Sequence, residues 1–250
     1  MEYITSRKNP LISHIRKLAS DRACRRESGE FLGDGTKLLE EAVRWNAPLT
    51  AVVYSPGVSL PLIEGVRRVE VPEDVMASIS PSKSPQGALF LARLPDTAPP
   101  EKLTGDRWLV LDGLQDPGNV GAIWRTADAL GADGLILVSR CADPFSPKTV
   151  RATMGACFRL PVYEMEAEDL PGLLERSGLP LYAAAAGEDA VDIKTARLDR
   201  CAVVIGSEGS GVCPELMALS QKTIRIPMRD RCESLNAAVA AAIVLWEMNH

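Results

Sequence analysis

The chain has no apolar run long enough to cross a bilayer: the longest, residues 237–246, is about half of the ~20 residues that a spanning helix needs. Met1, Glu2 and Tyr3, followed by Arg7 and Lys8, lead into no apolar signal region, so a cytoplasmic protein is expected. Histidine is scarce, with His14 and His250 alone in 250 residues. The six cysteines (Cys24, Cys141, Cys157, Cys201, Cys213 and Cys232) are scattered and form no C-x-x-C pair. Zinc and redox motifs need that spacing, so no metal is expected and the thiols are read as reduced packing residues. The chain also lacks G-x-G-x-x-G and the Gly-Lys-Ser/Thr ending of a Walker loop, which argues against a dinucleotide or nucleoside triphosphate site of the usual kind.

Excess positive charge is missing too. The formal net charge of −5 excludes a protein that coats nucleic acid nonspecifically, because that binding needs a surplus of Lys and Arg. The first 26 residues are the local exception, with Arg7, Lys8, Arg16, Lys17, Arg22, Arg25 and Arg26 opposed only by Glu2 and Asp21. A run of charge most often marks a solvated helix face. The alternative is a phosphate-contacting surface, with Arg7, Lys8, Arg16, Lys17, Arg25 and Arg26 as candidate RNA contacts.

What is present is a two-part α/β chain. The proline-rich stretch from Leu94 to Pro100 breaks helix and sheet alike, which divides the chain into domains over 1–94 and 106–250 joined by a linker over 95–105. The first domain reads as a basic helix over 10–23, a strand over 30–32, a helix over 36–45, and strands over 49–54 and 86–91. The second repeats strand and helix, with short apolar strands at 108–111, 134–138, 179–184, 202–205 and 223–226, as in a mostly parallel sheet buried on both faces. Val120, Ile123, Trp124, Ala127 and Leu130 trace one apolar helical stripe that leaves Arg125 and Asp128 outside it. The last helix, over 235–248, is apolar nearly all round and should pack on the sheet or on a second subunit.

Three strand-to-helix segments of the second domain carry the polar residues that could do chemistry. Asp116-Pro117-Gly118-Asn119-Val120-Gly121 runs on to Arg125-Thr126-Ala127, Gly206-Ser207-Glu208-Gly209 follows a strand, and Ile226-Pro227-Met228 precedes Glu233-Ser234-Leu235-Asn236. Open α/β sheets place ligands at such turns, where backbone amides and helix starts gather. Asn119, Ser234 and Asn236 each admit a simpler role as helix N-caps. Arg125 is either a surface charge or, beside Asn119, a clamp for phosphate or ribose. A carboxylate inside the glycine-rich loop would repel phosphate, so Glu208 suits a cationic or hydrogen-bond-donating ligand. Backbone groups, one carboxylate, one arginine and neutral amides fit a reaction in which the cofactor carries the reactivity and the protein supplies position.

In order and spacing, N-x-G-x-x-x-R-T-A over 119–127, G-S-E-G over 206–209, and I-P-M with E-S-L-N over 226–236 resemble the three motifs of the SpoU (TrmH) family of RNA 2′-O-ribose methyltransferases. Ile4-Thr5-Ser6-Arg7-Lys8-Asn9-Pro10 and Gly29-Glu30-Phe31-Leu32 resemble the small L30e-like substrate-binding domain often joined to it. The resemblance implies an α/β fold with a mostly parallel sheet and a C-terminal trefoil knot (SPOUT), S-adenosylmethionine held in that knot, and a homodimer. It implies cofactor contacts from Ala184, Gly206, Ile226 and Leu235, largely through main-chain groups, and catalytic or substrate roles for Asn119, Arg125, Glu208, Ser234 and Asn236. Two positions depart from the family pattern: Asp230 stands where many members have glycine, and Ala183-Ala184-Ala185-Ala186 is a plain version of the cofactor loop.

The implied reaction is in-line attack of a ribose 2′-hydroxyl on a sulfonium methyl group, without a metal. The separate basic N-terminal domain favours structured 23S ribosomal RNA over transfer RNA as the substrate. A non-catalytic RNA-binding protein that kept the fold is the competing reading, and a nicotinamide-dependent oxidoreductase is a third that the missing fingerprint disfavours.

Overall fold

The computed structural model describes residues 2–82, 84–187, 189–229, 231–232 and 234–250. Its contacts group into two units, Met1–Pro95 with Asp143–Phe158, and Asp96–Ala142 with Arg159–His250.

The first unit begins with β1 (Glu2–Tyr3) and α1 (Pro10–Ser20). Asn9 caps α1 by accepting from the Leu11 amide, and Pro10 sits where a helix has no amide to lose. The single helix expected over 10–23 is two, because Asp21 adopts an extended conformation and its carboxylate caps α2 (Arg22–Ser28) through the amides of Ala23 and Cys24. The chain continues through β2 (Glu30–Asp34), α3 (Thr36–Arg44), β3 (Leu49–Tyr54), β4 (Arg67–Glu70), α4 (Glu73–Ile79) and β5 (Ala88–Arg93). The strands form a sheet in the order β1-β4-β3-β5-β2, parallel on the β1 side and antiparallel at β5. Ile12, Ile15 and Leu18, one face of α1, bury against Val53, Val69 and Leu89 of that sheet.

In the second unit β6 (Arg107–Asp112), α5 (Pro117–Ala129) and β7 (Gly134–Val138) come first. The chain then contributes α6 (Pro147–Thr153) to the first unit before returning as β8 (Val162–Glu164), α7 (Leu170–Ser177), β9 (Leu181–Ala184), β10 (Val191–Asp192), β11 (Cys201–Gly206), α8 (Pro214–Leu219), β12 (Lys222–Arg225) and α9 (Ala237–Met248). Among the described residues the sheet runs β10-β12-β9-β11-β6-β7-β8, and every neighbouring pair is parallel. All C-terminal strand ends therefore share one edge. Trp108 and Val110 of β6 and Val204 of β11 are buried in the core with Leu173 and Leu174 of α7. Gly134 lies opposite Trp108, and a Cβ there would overlap the indole ring. No described helix is long and apolar enough to cross a membrane.

Two expectations about boundaries change. The stretch 95–105 is packed rather than free, since the Thr97 carbonyl accepts from the Glu164 amide at 2.9 Å and Leu103 is buried in the core of the second unit. The segment 143–158, placed with the second domain on sequence, belongs by its contacts to the first unit. Phe145 and Phe158 pack on Phe31 with ring centroids 5.2 and 6.4 Å away.

That packing also corrects the assignment of Arg25. Only 4% exposed, its guanidinium donates to the Asp143 carboxylate at 2.9 and 2.6 Å and to the Leu18 carbonyl, so it ties α2 to the returning segment and does not face RNA. Arg7 is paired with Asp74, and Arg16 donates to Arg7 and Ser78, joining α1 to α4. Arg26 is exposed and has an interaction of its own within the protein. Lys8 and Lys17 are exposed, and their ammonium groups pair with no described residue. Because removing one partner of a buried ion pair strands the other charge, Arg25→Ala is expected to cost about 3–5 kcal/mol, measured as a lower midpoint of chemical denaturation.

Candidate functional site

The three segments singled out in the sequence meet at the C-terminal edge of the parallel sheet. Asp116 caps α5, its carboxylate accepting from the Asn119 amide at 2.9 Å. Asn119 is thus the third helical residue rather than the cap, and its side chain is left for other partners. Asn236 does cap α9, with Oδ1 accepting from Ala238 and Val239 at 3.0 and 3.3 Å. Its Nδ2 points the other way, donating to Glu208 Oε1 at 2.6 Å and to Asn119 Oδ1 at 3.1 Å. Asn119 Nδ2 and the Ala237 amide also donate to Glu208 Oε1, at 3.0 and 3.3 Å. One carboxylate oxygen therefore gathers three donors from the starts of two helices, where a negative charge is favoured by the aligned peptide dipoles. Glu208 Oε2 has no partner among the described residues.

The loop that presents Glu208 is closed on itself, since Ser207 and Gly211 exchange backbone hydrogen bonds at 3.1 and 2.9 Å. At Gly206 a Cβ would overlap the backbone of Gly211 and Val212, so the loop can close only over glycine. Behind it Asp112, 4% exposed, accepts from the Cys213 amide at 2.7 Å and fixes the start of α8 to the end of β6.

Beside this loop lies a cleft of about 570 Å³, within the range of small-molecule sites. Ala184, Gly206, Ile226 and Leu235, the four expected cofactor residues, all line it, together with Glu208 and Ser234. Val212, Met217, Ala240 and Val244 supply apolar wall. Main-chain groups at the ends of β9, β11 and β12 could satisfy the polar parts of a ligand. These features fit S-adenosylmethionine, whose adenine needs apolar cover and whose sulfonium is compatible with a carboxylate. Met217, Arg225 and Arg229 also line the cleft and are not among the residues expected from sequence. Arg225 sits at the end of β12 with Nε donating to the Ala190 carbonyl; its place one residue before Ile226 is the available signal. Asp230 and Glu233 lie outside the described residues.

Not every candidate joins this cluster. Arg125 is exposed on α5 and pairs with no described residue, whereas its neighbour Asp128 is held by Arg159 at 2.6 Å. Ser234 is exposed and makes no side-chain hydrogen bond to a described residue. Burial pushes the Cys141 and Cys201 thiols up to about 11 and 12, which keeps both protonated and poor nucleophiles. Among the described residues no group of three or more metal-ligating side chains forms.

Residues 106–246 match the model of the SpoU rRNA Methylase family, and residues 9–89 match that of the MRM3-like substrate binding domain. The chain is 30% identical over 251 residues to the 23S rRNA (guanosine(2553)-2′-O)-methyltransferase RlmP of Bacillus subtilis, covering 99% of each. It is 30% identical to the 23S rRNA (uridine(2479)-2′-O)-methyltransferase of Streptomyces viridochromogenes, covering 98% of this chain and 90% of that one. The crystal structure of an AdoMet-bound rRNA methyltransferase from Sinorhizobium meliloti aligns with a TM-score of 0.87 at 32% identity, covering 99% of this chain and 97% of that one.

If the cleft depends on the closed loop after β11, Gly206→Ala should force the loop open. Calorimetric titration with S-adenosylmethionine should then show affinity lowered by at least about tenfold, the ~1.4 kcal/mol at the lower end of what an inserted methyl group costs in a packed site, while far-ultraviolet circular dichroism stays that of the native fold. Unchanged affinity would mean that the loop does not shape the cleft.

Proposed function

Because the chain belongs to the SpoU rRNA methylase family, we propose that it transfers the methyl group of S-adenosylmethionine to a ribose 2′-hydroxyl of 23S ribosomal RNA. The observation that carries this reading is the joining of Asn119 and Asn236 to Glu208, which itself lines a cleft together with the four expected cofactor residues. The names of the Bacillus and Streptomyces relatives support 23S ribosomal RNA over transfer RNA.

S-adenosylmethionine supplies an electrophilic methyl group on a sulfonium that leaves as a neutral thioether. The chain's own part is to hold and orient. Main-chain groups near Ala184, Gly206, Ile226 and Leu235 would bind the cofactor, and the amides of Asn119 and Asn236, held by Glu208, would be fixed before substrate arrives. With the cofactor bound, the ribose 2′-hydroxyl would take that methyl group in line as the thioether leaves, its proton passing to solvent water. Arg125 is a poor acceptor for that proton, since a guanidinium already carries its full set of protons and offers no acceptor. Its unpaired charge instead suits stabilisation of the developing alkoxide or a grip on the adjacent phosphate. Ser234 stands on the cleft wall as a further polar contact.

The same reading makes the first unit an RNA-binding module, in line with its match to a substrate-binding domain, with the exposed Lys8 and Lys17 as its contacts. It places the protein in the cytoplasm and threads the chain around the cofactor as a trefoil knot, a rare exception to unknotted topology. It also pairs two copies. Leu130, Ala238, Val239, Ala242, Ile243 and Trp246 line an apolar hollow beside α9, in which Val239 and Trp246 are about half exposed. An apolar helix face of this kind is what a second copy would cover.

Mapping 2′-O-methyl groups in total RNA from cells with and without the gene should reveal one 23S position that depends on it; an unchanged map would overturn the reading. Arg125→Ala should lower methyl transfer at saturating RNA by about 10²-fold, the usual loss for a transition-state donor, and Arg125→Lys should restore little if the guanidinium acts through its fork. Val239→Asp should yield monomers by light scattering, and a persistent dimer would move the interface elsewhere.

A further inference from the structure

The loop after β7 is unusual in its backbone. Ser139 and Arg140 are consecutive non-glycine residues with φ of 54° and 52°, a left-handed conformation that L side chains adopt only when their surroundings impose it. The surroundings here are the loop after β6, which leads into α5 and Asn119. The Gly113 amide donates to the Val138 carbonyl at 3.2 Å, the Ala142 amide to the Leu114 carbonyl at 2.7 Å, and Gln115 Nε2 to the Arg140 carbonyl at 2.6 Å. The Cys141 thiol donates to the carbonyls of Leu111 and Val138, both at 3.2 Å. Since β6 and β7 are adjacent and parallel, the two loops stand side by side on the edge that carries the site.

This stitching uses the carbonyl of Arg140 and the side chain of Cys141, and leaves their donors over. The amides of Arg140 and Cys141 donate to no other described residue. The Arg140 side chain is exposed and forms no ion pair or hydrogen bond among the described residues. Two successive backbone N–H groups in a turn, one of them on a residue whose guanidinium is also unpaired among the described residues, form a set of donors with no acceptor, which is the chemistry of an anion site. The glycine-rich loop after β11 cannot serve that purpose, because Glu208 would repel an anion there.

We propose that the loop of Ser139, Arg140 and Cys141 binds a phosphodiester of the substrate RNA, next to the nucleotide that is methylated, with the Arg140 guanidinium and the two free amides as donors. Arg140 is on this account a positioning residue: it touches the substrate backbone, not the reacting atoms. The strained turn keeps the donors at a fixed distance from α5, so the phosphate grip and Asn119 form one register for the RNA. The proposal rests on the methyltransfer reading for its substrate, yet its signature is separable, because a phosphate contact shows in the salt dependence of binding whether or not methyl groups are transferred.

The experiment measures binding of transcribed 23S ribosomal RNA to the full-length protein over a range of salt concentrations, together with KM for that RNA and calorimetric affinity for S-adenosylmethionine. Arg140→Ala should weaken RNA binding roughly five- to tenfold and lower the slope of log K against log[salt] by about one, with the loss in turnover falling on KM rather than kcat. Arg140→Lys should recover the salt slope and part of the affinity, since it restores the charge without the fork. Affinity for S-adenosylmethionine should stay at the wild-type value. An unchanged salt slope and KM in Arg140→Ala would overturn the proposal, as would a parallel loss of cofactor affinity, which would make the loop merely structural. Wild-type protein that binds the RNA yet transfers no methyl group would overturn the enzymatic reading alone and leave the salt slope to judge this one.

Discussion

One carboxylate oxygen organises the second unit. Glu208 Oε1 accepts from the side chains of Asn119 and Asn236 and from the Ala237 amide, so the loop after β11 is tied to the starts of α5 and α9 at a single point. Hydrogen bonds to a charged group contribute about 1.5–3 kcal/mol each where water is excluded, and less on an exposed edge such as this one. Their value is in geometry more than in stability. Three turns that are far apart in the chain are held in register, and the amide groups of both asparagines are fixed before any ligand arrives. Asp116 makes this possible by taking over the cap of α5, which leaves the Asn119 side chain unspent.

The parallel sheet explains why the site lies where it does. With all strands running the same way, main-chain groups left unpaired at their ends collect on one edge, and helix starts return there to face them. Such an edge attracts anions by default. Placing Glu208 at its centre reverses the preference locally, so the cleft accepts a cationic, hydrogen-bonding cofactor and the phosphates of a nucleic acid must be held to one side. Arg125 on α5 and Arg140 after β7 are cations of this unit that pair with no described residue. Two different ligands can therefore share one edge without competing for the same donors.

Much of this is legible in the sequence because the relevant residues sit at strand-to-helix turns that composition marks well. Gly206, Ile226 and Leu235 follow or precede apolar runs, and the structure brings them together with Ala184. Less legible are the elements too short for periodicity to mark. Hydrophobic patterning does not reveal β4, α4, β8 or β10, which have four, seven, three and two residues and gain their order from tertiary contacts. Nor does it separate Asn119 from a cap, because Asp116 and Asn119 are both good capping residues and spacing alone does not rank them. The membership of 143–158 in the first unit has no local signal at all: it depends on Arg25 meeting Asp143 across 118 positions and on phenylalanines that read as ordinary core.

Arg25 shows the limit of counting charges. Seven basic residues fall within the first 26, and six of them are candidate RNA contacts as the alternative to a solvated helix face, yet Arg25 is buried in an ion pair, Arg7 is paired with Asp74, and Arg16 bridges α1 to α4. A guanidinium engaged by protein has already exchanged its water for fixed partners, and a phosphate would have to displace them. The cations that can release counterions on binding RNA are the ones with nothing to lose, and in this chain they include Lys8 and Lys17 in the first unit and Arg125 and Arg140 in the second. For a protein of net charge −5, binding to RNA would then rest on where unpaired cations stand relative to the phosphates of a folded RNA rather than on overall charge.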